Sequence, residues 1–224
     1  MKLHNGWWFP DHEVHLVDWM NSKKNKIVMN GRSSYQGQKQ LAALKHCRQF
    51  RVAIDVGAHV GLWSFNLAHA FREVYAFEPV AEHRECFAKN IKGSGSAAMV
   101  HLLENALGAG PGVVGIDSEP GSSGNSTVRS ARSAEVGQIE MYALDSFSLT
   151  DVDLIKIDCE GFEENVLRGG EQTIKAWKPT IVVEQKREMA ARFGLQPLGA
   201  VRLLESWGYR QAEEISGDHF MVPA

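Results

Sequence analysis

The stretch "VAIDVGAHVGLWSF", Val52 to Phe65, decides the fold. It runs from an apolar, β-branched segment through two glycines four positions apart, Gly57 and Gly61, into a run with helical spacing. A chain that turns from strand to helix through glycines brings its backbone close to a ligand there, because no Cβ stands in the way. Two common ligands are excluded by inspection. A dinucleotide fingerprint starting at Gly57 needs glycine where His59 and Leu62 stand, and no Gly-Lys-Ser/Thr follows to make a phosphate loop.

Outward from this stretch, short β-branched runs alternate with amphipathic ones, the pattern of strands and crossover helices around a mostly parallel sheet. The sequence predicts strands at 51–55, 74–78, 99–103, 153–157 and 180–184, with a further strand near Tyr209 and a last one at His219–Val222. Apolar residues at three- and four-residue intervals predict helices at 60–71, 80–91, 162–177 and 197–206. Residues 1–50 read as a helical lid, with one helix in "DHEVHLVDWM" and another in "GQKQLAALKHC", and 51–224 as the main domain of a single globular unit. The Gly- and Ser-rich segment 108–127 reads as a long connection bordering the site, with a hairpin pairing 112–117 and 124–129.

Composition narrows the partners. The chain has 224 residues, 44% hydrophobic and 23% charged, which is ordinary for a globular α/β domain. A formal charge of −3 gives no general attraction for nucleic acid. No apolar run approaches the ~20 residues of a membrane span, and the N-terminal stretch lacks a secretory core, so a cytoplasmic location is expected. Cys47, Cys86 and Cys159 are odd in number and far apart, which predicts reduced thiols rather than a disulfide framework or a zinc site.

An acid closes the first predicted strand, Asp55, and another closes the second, Glu78, 23 positions later. In an open parallel sheet, ligands bind beyond the carboxyl ends of the strands at the switch point. A carboxylate there accepts hydrogen bonds from ribose hydroxyls, so a nucleoside joined to an amino acid suits the pattern. At this point the chain resembles a family. "IDVGAHVGLWSFNLA", "VYAFEPVAEHRECFAKNI" and, most specifically, "DLIKIDCEGFEENVLRGG" followed by "PTIVVEQ" are similar to the FkbM-type family of class I S-adenosylmethionine-dependent methyltransferases.

The resemblance spans about residues 51–185. It implies a Rossmann-like α/β fold with a seven-stranded, mostly parallel sheet, an antiparallel last strand and helices on both faces. It also implies methyl donation by S-adenosylmethionine. Carried over by motif, Asp55, Gly57 and Gly61 line the methionine end of the cofactor, Glu78 with Pro79 binds the ribose, and Asn105 and Ala106 meet the adenine edge. His59 stands where the family more often has a small or amide residue, and it is read as a contact of cofactor or substrate.

The strand ends gather further acids. Asp158, Glu160 and Glu184 face the expected acceptor side, with Asp158 the first candidate for the base or substrate anchor and a helix-capping carboxylate the alternative. Lys156 sits on an otherwise apolar strand; the preferred reading pairs its ammonium with one of these acids, the other gives it a catalytic part. Tyr35 and Gln36 are expected to close over the site as substrate contacts. The acids with His59 could hold a divalent metal, which is not the favoured reading, and "DHEVH" is one residue short of a zinc motif. Trp7, Trp8, Phe9 and Trp19 read as a staple holding the N-terminal segment to the core. The expected activity is O-methylation of a sugar, glycan or small natural product. Its rivals are a ribose 2′-hydroxyl methyltransferase using "NSKKNK", Arg129 and Arg132 as a basic track, and a cofactor-binding module without catalysis.

Overall fold

The computed structural model describes residues 1–22, 27–92, 94–96, 98–119, 122–130, 138–186 and 188–224, with the backbone alone described at 118–119 and 122–130. The elements are β1 (Lys2–His4), β2 (Trp7–Phe9), α1 (His15–Asn21), β3 (Val28–Met29), β4 (Arg32–Ser33) and α2 (Gly37–His46) before the glycine stretch. Then come β5 (Val52–Val56), α3 (Leu62–Ala70), β6 (Glu73–Phe77), α4 (Ala81–Lys92), β7 (Met99–Leu103), β8 (Ala106–Leu107), β9 (Gly112–Glu119), β10 (Ser122–Ser130) and β11 (Ile139–Tyr142). The chain finishes with β12 (Val152–Ile157), α5 (Glu163–Gly169), α6 (Glu171–Trp177), β13 (Thr180–Glu184), α7 (Gly199–Ser206), β14 (Tyr209–Ile215) and β15 (Asp218–Pro223).

The main sheet has seven strands in the order β14-β15-β13-β12-β5-β6-β7. β15 runs antiparallel to both β13 and β14, and the five strands from β13 to β7 are parallel. The chain leaves β5 toward β7 and later crosses back to β12 on the other side of β5. That reversal makes β5/β12 the switch point, where a parallel sheet opens a crevice. The expected seven-stranded α/β fold with an antiparallel last strand is the observed one.

Period-two alternation sends side chains to both faces. Val52, Ile54 and Val56 of β5 pack with Leu167, Ile174 and Leu204 on one face, while Ala53 packs with Trp63, Leu67, Leu154 and Phe220 on the other. Strands buried on both faces need near-continuous apolar sequence, and Leu154, Ile155 and Ile157 of β12 supply it. Lys156 is the exception in that run, and its register partner on β5 is Asp55.

Three features differ from the sequence reading. The predicted helix 162–177 is two helices broken at Gly170, which leaves the helical dihedrals at φ −111° and ψ 12°; beside it Gly169 lets the Gly108 carbonyl come where a Cβ would stand, 2.0 Å away. The first 46 residues hold two short hairpins, β1–β2 and β3–β4, besides the expected α1 and α2. Each hairpin turns on an Asn-Gly pair with positive φ at both residues, Asn5–Gly6 and Asn30–Gly31. The hairpin in the long connection is β9–β10, longer than expected, and it joins β11 and β8 in a second sheet of four strands.

Trp7 and Phe9 are fully buried against Val60, Leu62, Phe65 and Cys86, and Trp7 meets Phe65 edge to face at 5.0 Å. Burying each such side chain contributes about 2–3 kcal/mol. Asn90 of α4 fastens the hairpin through its backbone, accepting from Trp8 N at 2.8 Å and donating to Trp8 O at 3.0 Å. The first hairpin is thereby tied to α3 and α4, and α2 packs against β13 and β15. The three cysteines are free thiols. Among the described residues no helix is long and apolar enough to cross a membrane.

Candidate active site at the β5/β12 switch point

The turn after β5 is forced by its neighbours. Gly57 has φ +76°, and a Cβ there would lie 2.0 Å from the Asp158 carbonyl oxygen. Only glycine fits both the dihedral and the space. Gly57 N and Ala58 N donate to Phe77 O at 3.0 and 3.1 Å, tying the turn to the end of β6. His59 has φ +52°, and Gly61, at φ +87°, opens α3 with its Cα against the Phe87 ring.

Beneath this turn Asp55 is wholly buried. Its Oδ2 accepts from Ser64 Oγ at 2.6 Å and its Oδ1 lies 3.3 Å from Lys156 Nζ. Lys156 also donates to Gly57 O at 3.0 Å and stands 3.8 Å from Asp158 Oδ2. The preferred pairing of Lys156 with the acids is therefore what the geometry gives. Asp55 faces this pair and Ser64 rather than the cleft, so it supports the turn from below.

Glu78 follows β6 and is 4% exposed. Its Oε2 accepts His59 N at 2.8 Å, and its Oε1 takes Val80 N at 2.8 Å and pairs with His83 Nδ1 at 3.1 Å. Oε2 keeps one lone pair for a further donor. Arg84, which the sequence reading did not single out, donates to Glu78 O and Pro79 O and pairs with Glu104, joining the loops after β6 and β7. A narrow cleft runs between these loops, lined by Gly57, Glu78, Pro79, Asn105, Ala106 and Asp158. It widens outward into a hollow of about 490 Å³ whose far wall is Ile116 of β9 and Gln138–Glu140 at β11, so the long connection does border the site.

On the other side of Gly57 lies a small pocket between Tyr35, His59, Trp63, Lys156 and Asp158, closed by Leu16. Tyr35 thus comes to the site, whereas Gln36 is occupied in accepting from Trp63 Nε1 at 2.9 Å. His59 stacks edge-on to His83 at 4.4 Å. Burial first, then the His83 and Lys156 charges, push the His59 imidazole well below its usual pKa, so it stays neutral.

Asp158, Glu160 and Glu184 each offer an oxygen within 4.8 Å of the others. Burial and the Asp158 charge push Glu184 up to about 9, and the two groups share a hydrogen bond. Burial also pushes Asp158 up, but Lys156 and the bond with Glu184 outweigh it and hold Asp158 below its usual value. Glu184 is therefore the protonated partner at neutral pH and Asp158 the ionised one. Lys186 Nζ lies 3.0 Å from Glu184 Oε1. With Lys156 it supplies positive charge to the cluster, which suits a shared proton better than a divalent ion.

The sequence reading passed over Glu163. It is 1% exposed, its Oε1 accepts Cys159 N at 3.1 Å and Gly161 N at 2.8 Å, and its Oε2 accepts Gln185 Nε2 at 3.0 Å. Burial pushes its pKa up to about 7 against these backbone donors. The signal was in "DCEGFE", where an acid two residues past a glycine opens a helix. Of the proposed basic track, Lys23, Lys24, Lys26 and Arg132 lie outside the described residues, and Arg129 is described in its backbone alone.

With this geometry in hand, a profile described as the Methyltransferase FkbM domain matches residues 55–211. The chain belongs to the FkbM methyltransferase family. Solved structures agree at the level of the fold. The FkbM methyltransferase of Methylobacillus flagellatus aligns over 77% of this chain and 44% of its own length, at 16% identity and a TM-score of 0.52. A methyltransferase from Geobacter sulfurreducens aligns over 96% of this chain and 89% of its own, at 12% identity and a TM-score of 0.54. An rRNA methylase from Streptococcus thermophilus aligns over 83% and 92%, at 10% identity and 0.50. The chain spans less than half the length of the Methylobacillus protein. No curated protein matches it in sequence.

Proposed function

We propose that this FkbM-family chain is an S-adenosylmethionine-dependent O-methyltransferase whose acceptor is a hydroxyl of a sugar, a glycan or a small natural product. One observation carries the reading: a glycine cradle with a buried ribose-type acid, Glu78, adjoins an ionised carboxylate, Asp158, whose neighbour Glu184 keeps its proton. When bound, S-adenosylmethionine supplies an electrophilic methyl group. In this reading Gly57, His59 and Gly61 take its methionine end, Glu78 and Pro79 its ribose, and Asn105 and Ala106 its adenine edge. Asp55 and Lys156 act through the turn they support.

The remaining chemistry belongs to the acceptor side. A hydroxyl must lose its proton as it attacks, and a positioned base contributes about 10²–10⁴-fold to such a step. Asp158 has the part of that base: it is ionised, and its side chain is 24% exposed. Glu184 donates its proton to Asp158 in a hydrogen bond and so keeps the base charged between turnovers. Tyr35, whose hydroxyl burial and the Asp158 and Glu184 charges hold neutral, stays a donor, and with Glu160 it orients the acceptor.

A chain of net charge −3 gives no general attraction for a polyanionic acceptor, which favours one without a string of phosphates. Residues 1–50 belong to the same unit in this reading, since Leu16 and Tyr35 close the pocket beside Gly57. The test is to incubate the protein with methyl-labelled S-adenosylmethionine and host extracts, then separate glycans, small molecules, protein and RNA. Label in the glycan or small-molecule fraction is expected. Label in RNA overturns the acceptor assignment; no label together with no binding of S-adenosylhomocysteine overturns the whole reading.

A further inference from the structure

The turn that carries Asp158 and Glu160 has an unfavourable backbone. Glu160 has φ +52° and Gly161 φ +105°, and a Cβ on Gly161 would lie 2.5 Å from the Met189 carbonyl. A non-glycine residue in the left-handed region persists only where its surroundings over-determine it. Glu163 is what holds this turn. One carboxylate oxygen takes the N–H groups of both Cys159 and Gly161, which flank Glu160. The other takes the Gln185 amide, directly after Glu184, and Gln185 Oε1 in turn accepts Ala200 N of α7 at 3.1 Å. Glu163, Gln185 and Ala200 are all buried.

We propose that Glu163 is a positioning residue of the acceptor side: its carboxyl, clamped between the 158–161 turn and Gln185, sets where Asp158, Glu160 and Glu184 stand relative to one another. The catalytic meaning of that cluster rests on the function proposed above; the clamp itself does not. Three donors converge on two acceptor oxygens, a demand an amide cannot meet alone. In Glu163→Gln one NH₂ faces the NH₂ of Gln185, and turning Gln185 over only moves the conflict to Ala200 N. In the exchanged pair Glu163→Gln/Gln185→Glu every donor again has an acceptor. The introduced amide oxygen takes Cys159 N and Gly161 N, its NH₂ faces the introduced carboxylate, and that carboxylate's second oxygen takes Ala200 N.

The experiment is hydrogen–deuterium exchange, read by mass spectrometry on the full chain, of the peptide covering 158–162. A buried unmade hydrogen bond corresponds to about a tenfold change in local opening. Glu163→Gln is expected to speed exchange there about tenfold, with the β5 and β13 peptides within twofold of wild type, and the exchanged pair to return it to within twofold. Gln185→Met, which keeps the Glu163 bonds to Cys159 N and Gly161 N and removes only the anchor on Glu163 Oε2, is expected to speed exchange there less, by about threefold, and serves if Glu163→Gln does not fold. Unchanged exchange at 158–162 in the folded single variants overturns the clamp. So does acceleration spread evenly over the chain, or an exchanged pair no better than Glu163→Gln. Calorimetry of S-adenosylhomocysteine on the wild type separates the two ideas: its failure sinks the proposed function and leaves the exchange result standing.

Discussion

Replacing Lys156 by methionine tests the foundation under the glycine turn. Methionine keeps the aliphatic stem in β12 but deletes an ammonium that is 3.3 Å from Asp55 Oδ1 and 3.0 Å from Gly57 O. Lys156 is 5% exposed and Asp55 is 0% exposed, so water cannot replace the lost partner. Removing one member of a buried ion pair costs about 3–5 kcal/mol. For a chain of this size, each kcal/mol moves the midpoint by about 2–4 °C, so the drop is about 6–20 °C. Thermal unfolding followed by circular dichroism at pH 7.5 measures it. The double variant Lys156→Met/Asp55→Asn, whose amide oxygen still accepts from Ser64, is expected to recover at least half of the loss. A drop of under about 2 °C, or a double variant no more stable than the single, refutes the account of Lys156 as support for the turn.

Three further outcomes are expected. Gly57→Ala sets a Cβ 2.0 Å from a backbone oxygen at φ +76°, and it is expected to lose the native near-ultraviolet signal at 25 °C; a native spectrum contradicts the packing described. Glu78→Ala removes a charged acceptor, worth about 1.5–3 kcal/mol, so S-adenosylhomocysteine should bind about 10–100-fold more weakly by calorimetry, and an unchanged affinity removes Glu78 from the site. Glu184 is raised from 4.5 to about 9 by burial and by Asp158, so the stability of its protonated form is present below pH 4.5 and lost as pH rises through about 9. The midpoint of wild type should therefore fall between pH 5 and 9 relative to Glu184→Gln, whose amide does not titrate; parallel curves refute the assignment of the proton.

Much of the frame was legible because it follows from periodicity. The apolar runs of β5, β12 and β13 and the spacing of Val60, Trp63 and Leu67 are direct consequences of burial on both faces of a sheet. The glycine turn and Glu78 were legible because close backbone approach and a strand-end acid leave residue types that nothing else explains. The hairpins at Asn5–Gly6 and Asn30–Gly31 carried their own turn signal, but flanking strands of two or three residues are too short to alternate visibly. The break at Gly170 leaves the apolar residues Val166, Ile174 and Trp177 on either side of it, so spacing alone could not reveal it. Glu163 escaped for another reason. Its partners are backbone amides and Gln185, contacts that exist only once α5 has docked beside β13.

A crystal of the chain grown with S-adenosylhomocysteine tests the central claim most directly. The account predicts the adenosyl group in the cleft between Gly57 and Glu78, with ribose hydroxyls about 3 Å from the Glu78 carboxylate and the base beside Asn105 and Ala106. A ligand bound elsewhere, or a phosphate-bearing nucleotide in that cleft in its place, contradicts it.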